Sequence, residues 1–139
     1  MVTPYLVFNG NCKEVLDFYQ KAFGSDIVEP MLYGEYVPEG IVTPPADLST
    51  WILHAEMQIC GTKFWFADEI GVFKKGNTVR LTATVPTQTE AQKIFDRLKE
   101  NAEITLPPTE TFYSTFHGAL TDKFDVAWNI VAEEAPNGR

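Results

Sequence analysis

The feature that most limits how this chain can fold is a succession of elements that occurs twice. PYLVF at residues 4–8 reads as a short strand and runs into NGNCKEVLDFYQKAFG, where Cys12, Val15, Leu16, Tyr19, Ala22 and Phe23 recur at helical spacing. Asn9 or Asn11 is placed to cap that helix, and Gly24 to take the left-handed position that ends it. A strand at SDIVEPMLY comes next, then a Pro-rich connection over 34–49, then WILHAEMQIC and TKFWFAD as a hairpin about Gly61. The order is βαβββ. It starts again at VRLTATV, where Val79, Leu81, Ala83 and Val85 alternate with Arg80, Thr82 and Thr84. Thr87 and Glu90 form a T-x-x-E capping box for a helix that carries Ala91, Ile94, Phe95 and Leu98 on one face. Extended segments near EITLP, FYSTFHGAL and VAWNIVAE complete a second βαβββ.

The two copies align on their helices and hairpins. Val15 matches Ala91 and Tyr19 matches Phe95, an offset of 76, whereas Ala55 matches Ala119 and Gly61 matches Asp125, an offset of 64. The difference of 12 is assigned to extra loop in the Pro-rich stretch. The 139 residues are therefore expected to form one α+β domain built from a module at 1–70 and a module at 77–134, long enough to bury a core without disulfides or metal staples.

Charge narrows the partners. With 11 basic against 19 acidic residues the net charge is -8, and the basic residues are scattered. Phosphate backbones and anionic membrane surfaces are repelled by such a chain, so nucleic acid and membrane are not expected as partners. No stretch resembles a transmembrane span or a secretory signal, which points to the cytoplasm. Cys12 and Cys60, two unspaced cysteines, read as small hydrophobes and not as a framework.

Within WILHAEMQIC the period of a strand puts Trp51, Leu53, Ala55, Met57 and Ile59 on one face and His54, Glu56 and Gln58 on the other. Whether that polar stripe meets bulk water or a cavity decides its role, and one strand cannot answer.

PYLVFNGNCKEVLDFYQKAFG, HAEMQICGTKFWFAD and FHGALTDKFDVAWNI together resemble successive blocks of the PhnB-like branch of the glyoxalase, bleomycin-resistance and extradiol dioxygenase superfamily, also called vicinal oxygen chelate proteins. The blocks and the helix between them span nearly the whole chain. The resemblance implies two βαβββ modules whose curled mixed sheets surround a shared cavity, helices outside, often in a homodimer. By that analogy Trp51, Leu53, Ala55 and Met57 pack under the first helix, and His54, Glu56 and Gln58 face the cavity.

Metal-using members of the superfamily draw His, Glu or Gln ligands from the first and last strands of each module. Here the first-strand positions fall at Pro4 and Arg80 and the last-strand positions at Trp65 and Asn129. Only Asn129 offers an oxygen, and Arg80 sets a fixed positive charge where the ion should sit, so no cofactor is expected and a divalent metal is disfavoured. His54 would lie on the third strand, opposite Gly118 in the repeat, with His117 turned away from the cavity.

The candidate site residues divide by chemistry. His54 and Glu56 form a possible base and orienter for catalysis, against the alternative of a histidine satisfied within a curved sheet. Arg80 suits two-pronged binding of a carboxylate or phosphate, unless it pairs with Glu56 or Asp122. Trp65, Phe8, Phe116 and Tyr113 offer aromatic surface to a flat ligand, with Asn129 and Gln58 as polar contacts, or else belong to the core. Asp122 is expected to cap its turn and Asp125 to adopt a left-handed conformation.

Three functions stay open: a metal-independent small-molecule binding protein, an enzyme with an altered site, or a protein whose role is its dimer surface. Relatives of this branch are often labelled 3-demethylubiquinone methyltransferase-like. The Gly-rich loop that a Rossmann-type methyltransferase needs after its first strand is not present, because the strand runs into FNGN and a helix.

Overall fold

The computed structural model describes residues 1–35, 48–71 and 73–136. The chain divides into two compact units, Met1–Phe73 and Lys74–Arg139. Most of the Pro-rich connection, to which the sequence assigns the extra loop, lies outside the described residues.

In the first unit β1 (Tyr5–Phe8) leads into α1 (Cys12–Phe23), then β2 (Ile27–Leu32), β3 (Ile52–Ile59) and β4 (Thr62–Asp68). In the second, β5 (Leu81–Val85) leads into α2 (Gln88–Leu98), β6 (Glu103–Thr109), β7 (His117–Thr121) and β8 (Ala127–Ala132). Each unit holds an open four-stranded mixed sheet, ordered β1-β4-β3-β2 and β5-β8-β7-β6. The first and last strands of each unit pair in parallel and the other neighbours antiparallel. The α+β succession read from the sequence is thus present twice.

Each sheet buries one face under its helix. Ala55, Met57, Ile59, Phe64 and Phe66 are buried, and Tyr19 of α1 packs on Phe66 with ring centroids 6.1 Å apart. Leu53 is only half-buried and Ile52 takes the buried place instead, so the apolar alternation expected from Trp51 onward slips at the start of β3. In the second unit Ala83, Val85, Leu120, Trp128, Ile130 and Ala132 line the corresponding face. Gly118 belongs to it as well, since a Cβ there would stand 2.8 Å from the Phe95 ring of α2.

Strand pairing corrects the repeat register expected from the sequence. Tyr5 pairs with Trp65 and Glu56 with Trp65, whereas Thr82 and Ala119 both pair with Asn129. Paired residues share a face, so with Trp65 and Asn129 equivalent, Tyr5 matches Thr82 and His54 matches His117. Pro4 is therefore on the wrong parity to match Arg80, and Gly118 matches Ala55. The cause is loop length, at two places: residues 9–11 join β1 to α1 but only 86–87 join β5 to α2, which displaces Pro4 from Arg80, and the hairpins differ as well. β3 and β4 join through the two residues Cys60 and Gly61, with φ of 49° and 85°, whereas β7 and β8 join through residues 122–126. Aligning Gly61 with Asp125 absorbs that difference in the wrong place and shifts one strand by a residue, which exchanges its faces.

Candidate functional site

The β1–α1 corner is the most strongly determined part of the first unit. Asn11 precedes α1 but its side chain makes no capping bond, and Asn9 donates instead to the Glu69 carbonyl at 2.7 Å. The cap comes from Asp68 at the end of β4, 1 % exposed, whose Oδ1 accepts from the backbone N–H groups of Gly10 and Cys12 at 2.8 and 3.0 Å. Its Oδ2 accepts from Ile52 N–H at 2.9 Å, joining the start of β3 to the same carboxylate. Gly10 has φ of 99°, and a Cβ on it would stand 2.7 Å from the Trp51 ring. Burial, and secondarily the Asp68 carboxylate, push the Cys12 thiol far above its ordinary range. Sequence reasoning missed Asp68, because its partners lie as far as 58 residues away.

On the face of this sheet turned from α1, Tyr5, Trp65 and His54 form an edge-to-face row with centroid separations of 5.8 and 5.1 Å. Tyr5 and Trp65 are 46 % and 39 % exposed. Burial, followed by the charge of Glu69 and then the Cys12 thiol, raises the Tyr5 phenol above its usual value. Glu56 stands between two partners, its Oε1 3.6 Å from His54 Nε2 and its Oε2 3.7 Å from Lys63 Nζ. Gln58 is exposed opposite Lys63. His54, Glu56 and Gln58 thus share the expected stripe. Phe8, 8 % exposed, belongs to the helix-side core and not to this face.

The second unit carries a different set on the equivalent face. Arg80 Nε donates to the Asn77 carbonyl at 3.1 Å, and among the described residues Arg80 makes no ion pair. Within the second unit, the pair with Asp122 that the sequence allowed is not formed. Asn77, Arg80, Thr105, Thr121 and Asn129 line a pocket of about 60 Å³. His117 shares their face, contrary to the sequence expectation, with Nε2 3.2 Å from Asn129 Oδ1 and Nδ1 2.7 Å from the Tyr113 hydroxyl. Phe116 is 2 % exposed and packs edge-on against Phe95 at 5.8 Å, which makes it core.

Asp122 caps its turn as expected. Its Oδ1 accepts from Phe124 and Val126 N–H at 2.9 and 3.1 Å, and its Oδ2 from the Trp128 indole at 3.0 Å. Asp125 takes the left-handed conformation, φ 68°, and meets Lys75 at 2.6 Å.

The donor set does not fit a divalent metal. The corrected positions hold Tyr5 and Trp65 in the first unit and Thr82 and Asn129 in the second, of which none is a carboxylate or imidazole, and in the second unit Arg80 lines the same pocket as Asn129. Among the described residues no three His, Cys, Asp or Glu side chains gather as a metal site would require. No described helix is long and apolar enough to cross a membrane.

A family model described as 3-demethylubiquinone-9 3-methyltransferase matches residues 1–131. Protein YjdN of Escherichia coli (strain K12) is 29 % identical over 147 residues, covering 96 % of this chain and 97 % of that protein. Among solved structures, PA1353 from Pseudomonas aeruginosa is 27 % identical with a TM-score of 0.82, covering 96 % of this chain and 97 % of the other. A putative 3-demethylubiquinone-9 3-methyltransferase, PhnB protein, from Bacillus cereus is 25 % identical with a TM-score of 0.75 and coverage of 94 % and 98 %. The fosfomycin resistance protein FosX from Listeria monocytogenes shares the fold, with a TM-score of 0.65 at 10 % identity over 96 % of this chain and 92 % of that one.

Proposed function

The chain belongs to the 3-demethylubiquinone-9 3-methyltransferase family, the PhnB-like branch of the glyoxalase superfamily, and from that premise we propose that it is a metal-independent protein that binds a small anionic molecule in its second module. Arg80 carries the reading. In a chain of net charge -8 this guanidinium makes no ion pair among the described residues and lines a pocket with two asparagines and two threonines. Arg80 is exposed, and a guanidinium with no internal counter-charge is left free to meet an external one through paired N–H donors.

The methyl transfer in the family's description finds no support in these residues. Only residues 9–11 separate β1 from α1, too few for a nucleotide-cradling loop, and two of the amides at that helix start already bind Asp68.

Thermal unfolding in the presence of small carboxylates and phosphates tests the proposal. The wild-type protein is stabilised in proportion to ligand concentration, and Arg80→Ala keeps its fold but loses the stabilisation. A variant stabilised as well as the wild type would remove Arg80 from the site. One tightly held metal per chain, after loading with zinc, nickel, cobalt or manganese and removal of free ion, would end the metal-independent half of the reading.

A second reading, metal-free acid/base catalysis by His54 and Glu56, is favoured by one observation: their side chains meet at 3.6 Å on the sheet face turned from α1.

A further inference from the structure

We propose that Asn129 is the second arm of the Arg80 site, held in a donating orientation by His117 and Tyr113, and that the ligand is a monoanionic carboxylate. This rests on the Arg80 reading above and narrows it to a ligand class. Asn129 Oδ1 lies 3.2 Å from His117 Nε2. An amide oxygen only accepts, so Nε2 carries the proton, and in the neutral ring Nδ1 accepts the Tyr113 hydroxyl at 2.7 Å. With its oxygen engaged, Asn129 presents its Nδ2 to the pocket that it lines with Arg80. All the donors in this chain point the same way, from the Tyr113 O–H through the His117 N–H to the Asn129 N–H, and each bond polarises the next.

Arg80 is oriented in a matching manner. Its Nε is spent on the Asn77 carbonyl, which leaves the two terminal nitrogens as an end-on fork for the two oxygens of a planar carboxylate. Charge sets the ligand's valence. One guanidinium with neutral amide and hydroxyl donors balances one negative charge, whereas a dianion in a protein of net charge -8 would be half compensated. A pocket of about 60 Å³ takes the carboxylate group and leaves the rest of the ligand outside.

The test uses the full chain labelled with nitrogen-15 and titrated separately with acetate, benzoate and inorganic phosphate, observing the Arg80 Nε–H and the Asn129 side-chain amide. Both signals move together with acetate or benzoate, and phosphate binds more weakly. His117→Phe weakens benzoate about tenfold and abolishes the Asn129 response, the loss expected for one misaligned donor. His117→Gln, whose amide N–H can replace Nε2–H, restores affinity to within about threefold of the wild type. A merely structural histidine would change the melting temperature of both variants without separating their affinities. Benzoate binding by His117→Phe at wild-type strength, or an Asn129 amide that stays still while Arg80 responds, overturns the positioning role and leaves the Arg80 reading intact. Preference for phosphate overturns the carboxylate assignment alone. Arg80 signals that respond to none of the three probes overturn both.

Discussion

Asp68→Asn isolates what a single buried carboxylate does for the first module. The wild-type side chain accepts three backbone N–H groups, two on Oδ1 and one on Oδ2. An asparagine keeps one oxygen, which serves Gly10 and Cys12 best, and turns its NH2 toward Ile52, so that two donors face one another. A buried N–H left without an acceptor costs about 1–3 kcal/mol. Loss of the negative charge at the start of α1 adds about 0.3–1 kcal/mol. A destabilisation of about 3 kcal/mol follows, or about 6–12 °C in Tm at the 2–4 °C per kcal/mol typical for chains near this size. The change is measured by calorimetry beside Asp96→Asn, an exposed control expected to stay within about 0.5 kcal/mol. Amide exchange supplies the detail, since the Ile52 N–H should lose more protection than Gly10 or Cys12. A Tm within 2 °C of the wild type, taken as the limit of about 1 kcal/mol, would refute the account of the corner.

The Cys12 thiol gives a pH dependence of definite sign. Its folded pKa is raised by burial above the ordinary value of 9.0, so its contribution to stability is complete below that pH and falls above it, by up to about 1.4 kcal/mol per pH unit. Cys12→Ala should flatten the decline that denaturant unfolding measures as the pH is raised above 9.0, and a thiol reagent should label Cys60 in the folded protein but Cys12 only after unfolding. His54→Gln should cost no more than about 1 kcal/mol, because the contact with Glu56 is long and partly solvated. If the pair transfers protons, that variant also loses about a hundredfold or more in turnover of any substrate found by activity screening; an unchanged rate would reduce the pair to packing.

Much of the fold is legible locally because its signals lie within a few residues of their effects. The capping box expected at Thr87 forms, with Glu90 N–H donating to the Thr87 hydroxyl at 3.2 Å and Thr87 N–H to the Glu90 carboxylate at 3.3 Å. Gly24 and Asp125 adopt the left-handed conformations their turns require. Asp68 could not be read in the same way, because a carboxylate 16 to 58 residues from its donors leaves no local pattern. Phe8 and Phe116 illustrate another limit: an aromatic on a strand looks the same whether it faces a ligand or a helix, and only the sheet's parity separates the two. That parity was lost for β7 because its hairpin is longer than its counterpart, which turned His117 from an apparent packing residue into a neighbour of Asn129.

The corrected register also explains why one module is the better candidate for binding. His54 and His117 stand at equivalent places on equivalent strands, so the backbone offers both the same opportunity. Around His54 the neighbours cancel one another: Glu56 meets Lys63, and the imidazole meets the Trp65 ring edge-to-face at 5.1 Å instead of a hydrogen-bonding group. Around His117 they accumulate instead, since Asn129 stands where the first module has Trp65, and that exchange turns an aromatic wall into a hydrogen-bonding group oriented by the histidine. Arg80 adds a cation that no described acidic side chain neutralises. A Trp65→Asn substitution alone would therefore not reproduce the second site in the first module, because Glu56 would remain beside the new amide and repel the anion that Arg80 attracts.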